Sequence, residues 1–200
     1  MFKTASYLCF LLVMFVSVSK AQLLDSLALD TLTAYTDLQT ALKEPDKVVK
    51  LVLRKQKFKE FPLEILKFKN LQYLDISKNV IKELPDSIDQ LSNLQYLICS
   101  KTGLERIPKQ IGKLKKLRYL NCNQNELESF PPQIGDLESL VIMDMWSNNL
   151  ADFPETLANL KKLKVLDLRN ILMSDELQNH VQAMLPNTKV YMSPSCKCKW

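Results

Sequence analysis

Apolar residues in this chain fall on a strict period. Blocks of 23 residues begin at Val48, Leu71, Leu94, Leu117 and Leu140, with no insertion between them. In each block the first, fourth, sixth, eleventh, fourteenth, eighteenth and twenty-first positions hold an apolar residue or a cysteine. The fifteenth is always proline: Pro62, Pro85, Pro108, Pro131 and Pro154. A sixth block opens at Leu163, keeps Leu166, Leu168, Ile171 and Met173, and then changes character. Alternation at the fourth and sixth positions is the signature of a short strand with one buried face. Proline lacks an N–H and cannot sit inside a long helix, so the return path is expected to be extended or a tight turn. No block has a complete core of its own, and stacking joins the apolar positions into one column. At ~1.5–3 kcal/mol per fully buried side chain, that column is the dominant stabilising contribution.

Written from Leu71, the block reads L-x-x-L-x-I-x-x-N-x-I-x-x-L-P-x-x-I-x-x-L-x-x. This resembles the leucine-rich repeat family in its 23-residue Leu-Pro-x-x-Ile form, over residues 48–173 (five full repeats and one partial). The resemblance implies an α/β fold: a short horseshoe solenoid with a concave parallel sheet, convex loops and 3-10 turns, and helical caps at both ends. It also implies an asparagine ladder at the ninth position, which here reads Gln56, Asn79, Thr102, Asn125, Asn148. An amide both donates and accepts, so it can satisfy backbone groups in a turn that has no strand partner. Thr102 offers less, and the third block is expected to have the least regular turn.

A solenoid exposes its core and sheet edges at both ends. At the N-terminal end, Thr36-Asp37-Leu38 reads as a helix start and Pro45 as its stop, which places a capping helix over 33–44 within a region spanning 22–47. At the other end, Ser174 is an N-cap followed by Asp175 and Glu176, which suit the positive end of a helix dipole. Leu177, Val181, Met184 and Leu185 form an amphipathic stripe that ends at Pro186, and Lys189 to Met192 reads as a last strand. This gives a cap over 174–192 and a tail over 193–200. Residues 1–21 read as a secretory signal: Lys3, an apolar run from Tyr7 to Val18, and cleavage expected after Ala21. The apolar run is about 12 residues, short of the ~20 that span a bilayer.

Strand alternation also decides which way the tyrosines face. If Leu74 and Ile76 point into the core, Tyr73 points out onto the concave side, and so do Tyr96 and Tyr119 one and two repeats on. Ile142 and Val165 continue that row. The seventh position runs Arg54, Ser77, Ser100, Asn123, Trp146, Arg169; the eighth begins Lys55, Lys78, Lys101; the fifth includes Asp75, Ile98, Asn121, Asp144 and Asp167. Tyr, Trp and Arg dominate binding hot spots. The partner-binding residues are therefore expected to be Tyr73, Tyr96, Tyr119, Ile142, Trp146, Arg54, Lys55, Lys78, Lys101, Asp144, Asp167 and Arg169. Ladders of like side chains also stabilise sheets, so support of the sheet is the competing role for the tyrosines.

Charge and cysteine content narrow the function. The formal charge of +5 falls to +3 once Lys3 and Lys20 leave with the signal, a mild excess that argues against nucleic acid as a partner. Cys99 and Cys122 take inward sixth positions and are expected to be free buried thiols. For Cys196 and Cys198, in the tail, an internal bridge, an intermolecular bridge and reduced thiols all stay open. His180 is the only histidine, and no metal or cofactor site is expected. Nothing resembles a phosphate loop or a nucleophile elbow, so no catalytic residue is assigned. With no N-x-Ser/Thr sequon and no cysteine-rich cap, the chain looks more like secreted or surface repeat proteins of bacteria than the animal extracellular type. The expectation is an exported, non-catalytic module presenting an aromatic concave face to a protein partner. The alternatives are a glycan- or envelope-binding surface protein that uses the lysine row, and an intracellular signalling scaffold if the leader is not a signal.

Overall fold

The computed structural model describes residues 23–196; residues 1–21, read above as a signal, and Cys198 lie outside the described residues. Seven strands form one parallel sheet in chain order: β1 Lys50–Val52, β2 Tyr73–Asp75, β3 Tyr96–Ile98, β4 Tyr119–Asn121, β5 Ile142–Asp144, β6 Val165–Leu168 and β7 Lys189–Met192. From β1 to β6 the register advances by one repeat at each step, pairing Tyr73 with Tyr96 and Tyr96 with Tyr119. The fold is the α/β repeat solenoid that the period implies. Each of β1 to β5 leads into a loop and then a 3-10 turn on the far side: Leu63–Lys67, Asp86–Gln90, Lys109–Lys113, Pro132–Asp136 and Glu155–Asn159.

The fifteenth-position prolines explain where those turns begin. Each stands immediately before its turn with φ between −65° and −71°. Each carbonyl accepts the first turn bond, as in Ile88 N–H to Pro85 O at 3.0 Å and Leu157 N–H to Pro154 O at 3.0 Å. The fixed φ of proline starts the turn, and its missing N–H is not needed there. The periodic apolar positions of the five blocks are all buried, except Phe58, which is only partly so. Neighbouring turns pack closely: a Cβ on Gly135 would lie 2.2 Å from Thr156 O of the next coil, a space that only glycine fits.

The chain leaves the sheet at the eighth position of every coil, and there it adopts a left-handed conformation. Lys55, Lys78, Lys101, Gln124, Ser147 and Asn170 all have φ between 54° and 58°. For a non-glycine residue this costs ~1–2 kcal/mol, so something must hold it. The holding bonds run between coils: Lys78 N–H donates to Ser100 O at 2.9 Å and Gln124 N–H to Trp146 O at 2.7 Å. The ninth residue then closes the turn. Asn148 Nδ2 donates to Cys122 O at 3.0 Å and Met145 O at 2.8 Å, and its Oδ1 accepts from Leu127 N–H at 3.1 Å. Asn79 and Asn125 repeat this pattern. Thr102 has only a hydroxyl to donate, shared between Cys99 O at 3.0 Å and Asn125 Oδ1 at 3.1 Å. The residue after it, Gly103, is left-handed as well, with φ 74°. The same happens after exposed Gln56, where Lys57 has φ 62°. Both irregular turns therefore follow the two ninth positions that lack asparagine.

The N-terminal end differs from the single helix expected over 33–44. α1 spans Ser26–Thr31 and α2 only Leu38–Ala41. Between them Tyr35 is extended: its N–H donates to Lys50 O at 3.0 Å and its carbonyl accepts from Val52 N–H at 2.8 Å. Those bonds cover the outer edge of β1, and a residue paired to a strand cannot also be helical. Asp37 is the N-cap of α2, accepting from Thr40 N–H at 2.7 Å. At the other end α3, Asp175–Met184, begins at the Ser174 cap and buries Val181 against the last coil, and β7 then extends the sheet. Among the described residues no helix is long and apolar enough to cross a membrane.

Cys99 and Cys122 are free, fully buried and neighbours across β3 and β4, with Sγ atoms 3.0 Å apart. The hydrogen bond with Cys99, followed by burial, holds the Cys122 thiol well above its usual range. Two outcomes are expected. Asn148→Ala should cost about 3 kcal/mol through stranded buried carbonyls, against about 0.5 kcal/mol or less for the exposed neighbour Asn149→Ala, as read by urea denaturation. Iodoacetamide at pH 8 should leave both buried thiols unmodified in the native protein and alkylate them in guanidinium, as read by mass spectrometry.

Candidate binding face

The concave surface is built from third, fifth and seventh positions, because their neighbours at the fourth and sixth go into the core. Tyr73 and Tyr96 stack with ring centroids 5.5 Å apart and planes 23° apart. Tyr96 and Tyr119 follow at 5.9 Å and 36°. Ile142 extends the row and is 37% exposed. The rings are half-buried rather than free, so they support the sheet as well as face solvent. Burial raises the hydroxyl pKa of both Tyr73 and Tyr119.

Both ends of this surface are covered by the chain's own cations. At the β1 end, Lys50 Nζ lies 5.0 Å from the Tyr73 ring centroid and donates to Leu29 O at 2.8 Å, near the end of α1. At the β7 end, the Arg169 guanidinium and Lys189 Nζ lie 5.5 Å and 4.7 Å from the Tyr191 ring centroid. Between these ends, Tyr96, Tyr119, Ile142 and Trp146 carry no cation among the described residues.

The charged residues expected at the site separate into three groups. Arg54 is committed to Asp75: its Nε donates to the fully buried carboxylate at 2.6 Å, and Ser77 donates to the other oxygen. Arg169 forks onto Asp167, with Nη2 at 2.6 Å and Nε at 2.9 Å. Burial works to raise the Asp167 carboxyl, but the Arg169 bonds outweigh it and hold the group below its ordinary range. Lys55, Lys78 and Lys101 sit at the left-handed rim positions, exposed and outside any ion pair among the described residues. Asp144 differs from the other two aspartates in having only amide donors: Asn123 Nδ2 at 2.7 Å, Asn121 Nδ2 at 3.1 Å and Trp146 N–H at 3.2 Å. Burial raises its pKa, against the pull of those bonds.

The family model for the leucine-rich repeat region matches residues 9–117 and 105–184. The chain belongs to the leucine-rich repeat family. Among solved structures, a leucine-rich repeat protein of Leptospira interrogans is 30% identical with a TM-score of 0.66, over 83% of this chain and 49% of that one. The leucine-rich repeat ectodomain of the plant membrane receptor kinase GASSHO1/SCHENGEN3 from Arabidopsis thaliana was solved in complex with Casparian strip integrity factor 2. It is 26% identical with a TM-score of 0.56, over 75% of this chain and 19% of that one. The chain thus spans about half the length of the first structure and a fifth of the second. Among curated proteins no match is found.

Several features of this leucine-rich repeat face escaped the period. Lys50 occupies a third position and could have been read as the head of the tyrosine row. Tyr191 could not, because β7 pairs with β6 at a spacing of 24 rather than 23 residues, opposing Lys189 to Val165. The segment at Leu24 crosses the second positions of two coils, donating to Gln72 Oε1 at 2.8 Å and accepting from Gln95 Nε2 at 2.9 Å. No local sequence signal marks that crossing. A cleft of about 860 Å³ lies elsewhere, among Phe58, Phe61, Leu63 and the charged Lys59, Glu83 and Arg106. An open sheet face suits an extended macromolecule rather than an enclosed small ligand. Among the described residues no group of three or more His, Cys, Asp or Glu is placed to hold a metal.

The outward phase of the tyrosines is testable through stability. Tyr96→Ala removes two ring contacts and should cost about 1–3 kcal/mol. Its inward neighbour Leu97→Ala, at a fully buried position, should cost more, about 3–5 kcal/mol, in the same urea titration.

Proposed function

We propose that this chain is a non-catalytic binding module, and that the strand face centred on Tyr96, Tyr119, Ile142 and Trp146 receives a protein partner. One observation carries the reading. The chain's own cations cover both ends of the concave surface, while the aromatic and apolar middle is left open. Aromatic side chains offer large contact area at small entropic cost, which is why they anchor interfaces. The plant ectodomain of similar fold was solved with a partner bound, which supports a ligand-receiving role for this scaffold. The proposal includes export. Its support is the apolar leader in the sequence, and a native chain beginning at Gln22 is the expected result of N-terminal sequencing.

A second reading keeps the same face but assigns recognition to Lys55, Lys78 and Lys101, with an anionic glycan or envelope polymer as partner. The exposure of these lysines, and their lack of an ion pair among the described residues, favour it. Salt separates the two: binding through exposed lysines weakens steeply as ionic strength rises, whereas packed aromatics change little. In a pull-down from the native source, wild type should recover a partner that the Tyr96→Ala/Tyr119→Ala/Trp146→Ala variant loses, with both proteins folded by circular dichroism. Equal recovery by the two would reject the aromatic face.

A further inference from the structure

The fifth-position column contains three aspartates on the concave side, and two of them are neutralised within the chain. Asp75 takes Arg54, the seventh residue of the preceding coil, and Asp167 takes Arg169, the seventh residue of its own. The equivalent positions around Asp144 are Asn123 and Trp146, neither of which carries charge. Arg169 also pulls on the Asp144 carboxyl, but its fork is already occupied by Asp167. The carboxylate is nonetheless built into the site. Three N–H groups donate to it and nothing accepts from it, which is the pattern an ionised carboxylate needs. Asn121 also donates to the Tyr119 hydroxyl at 3.1 Å, so the carboxylate and the aromatic row belong to one bonded network.

We infer that Asp144 is the acceptor for an arginine or lysine side chain supplied by the partner, whose segment lies along Tyr119, Ile142 and Trp146. This rests on the proposed function and names the partner's chemistry: an extended peptide segment with one basic residue beside apolar ones. The surroundings fit such a side chain. Its apolar stem would lie on Ile142 and the neighbouring rings, and its charged head would meet a carboxylate already held in place. An arginine fork can pair with both carboxylate oxygens, as Arg169 does with Asp167.

The test uses a phage-displayed library of random linear peptides selected on the full chain. Recovered peptides should share an Arg or Lys at a fixed place next to apolar residues. Their affinity should fall about tenfold or more on Asp144→Asn, since a hydrogen bond to a charged group contributes ~1.5–3 kcal/mol. A second variant avoids removing the carboxylate. Asn123→Arg places an arginine where Arg54 stands relative to Asp75, and by satisfying Asp144 within the chain it should cause a similar loss. Peptides that need Tyr96, Tyr119 and Trp146, yet lack a basic residue or bind both variants as well as wild type, would overturn this inference and leave the proposed function standing. Recovery of no peptide would overturn both.

Discussion

Every coil of this protein must solve the same problem: how to leave a parallel sheet without stranding backbone groups in a closed core. The chain turns through a left-handed residue whose N–H is tied to the next coil. At Asn79, Asn125 and Asn148 it then places an amide that bonds carbonyls of its own coil and of the one before. Each ladder asparagine therefore serves two coils, and neighbouring coils stabilise each other through directed bonds as well as apolar contact. The leucine column supplies most of the burial, but the ladder fixes the spacing and phase at which that column forms. The outward set of the tyrosines follows from the phase.

The legible part of the fold was the part that repeats. Period, proline and strand alternation placed the column, the 3-10 turns and the outward row, because each of these is local to one block and occurs five times. Single events were harder to read. The N-terminal covering was read as one helix because Asp37 and Pro45 are good start and stop signals. No local pattern indicates that Tyr35 must pair with β1, a demand made by the sheet edge rather than by the residues around Tyr35. α1 was missed for a similar reason: it is short, and Leu29 is its only buried residue. Thr102 was identified as weaker than asparagine. Gln56 has an amide but on a longer, exposed side chain, and it is followed by the same left-handed step at Lys57.

For the candidate face, sequence position gave direction but not electrostatics. Arg54, Asp167 and Arg169 read as surface charge open to a partner; in the fold they are already satisfied by each other or by Asp75. Charge that is matched within the chain contributes little to recognition and much to local rigidity. This moves attention from the two arginines to the stretch between them, where rings, Ile142 and one amide-held carboxylate share a single surface. The tyrosines have two roles at once: half of each ring braces the sheet and the other half faces solvent, so a binding surface here carries a structural contribution with it.

The strand register repeats every 23 residues from β1 to β6, and the covering segments are anchored at different coils: Leu24 bonds Gln72 and Gln95, while α3 packs on the turn Glu155–Asn159. The block Leu117–Ser139 lies between these anchors and pairs through β4 with its like on either side. Coil number is therefore an independent variable of this architecture. In-frame duplication of that block would lengthen the surface by one strand width between the two anchors.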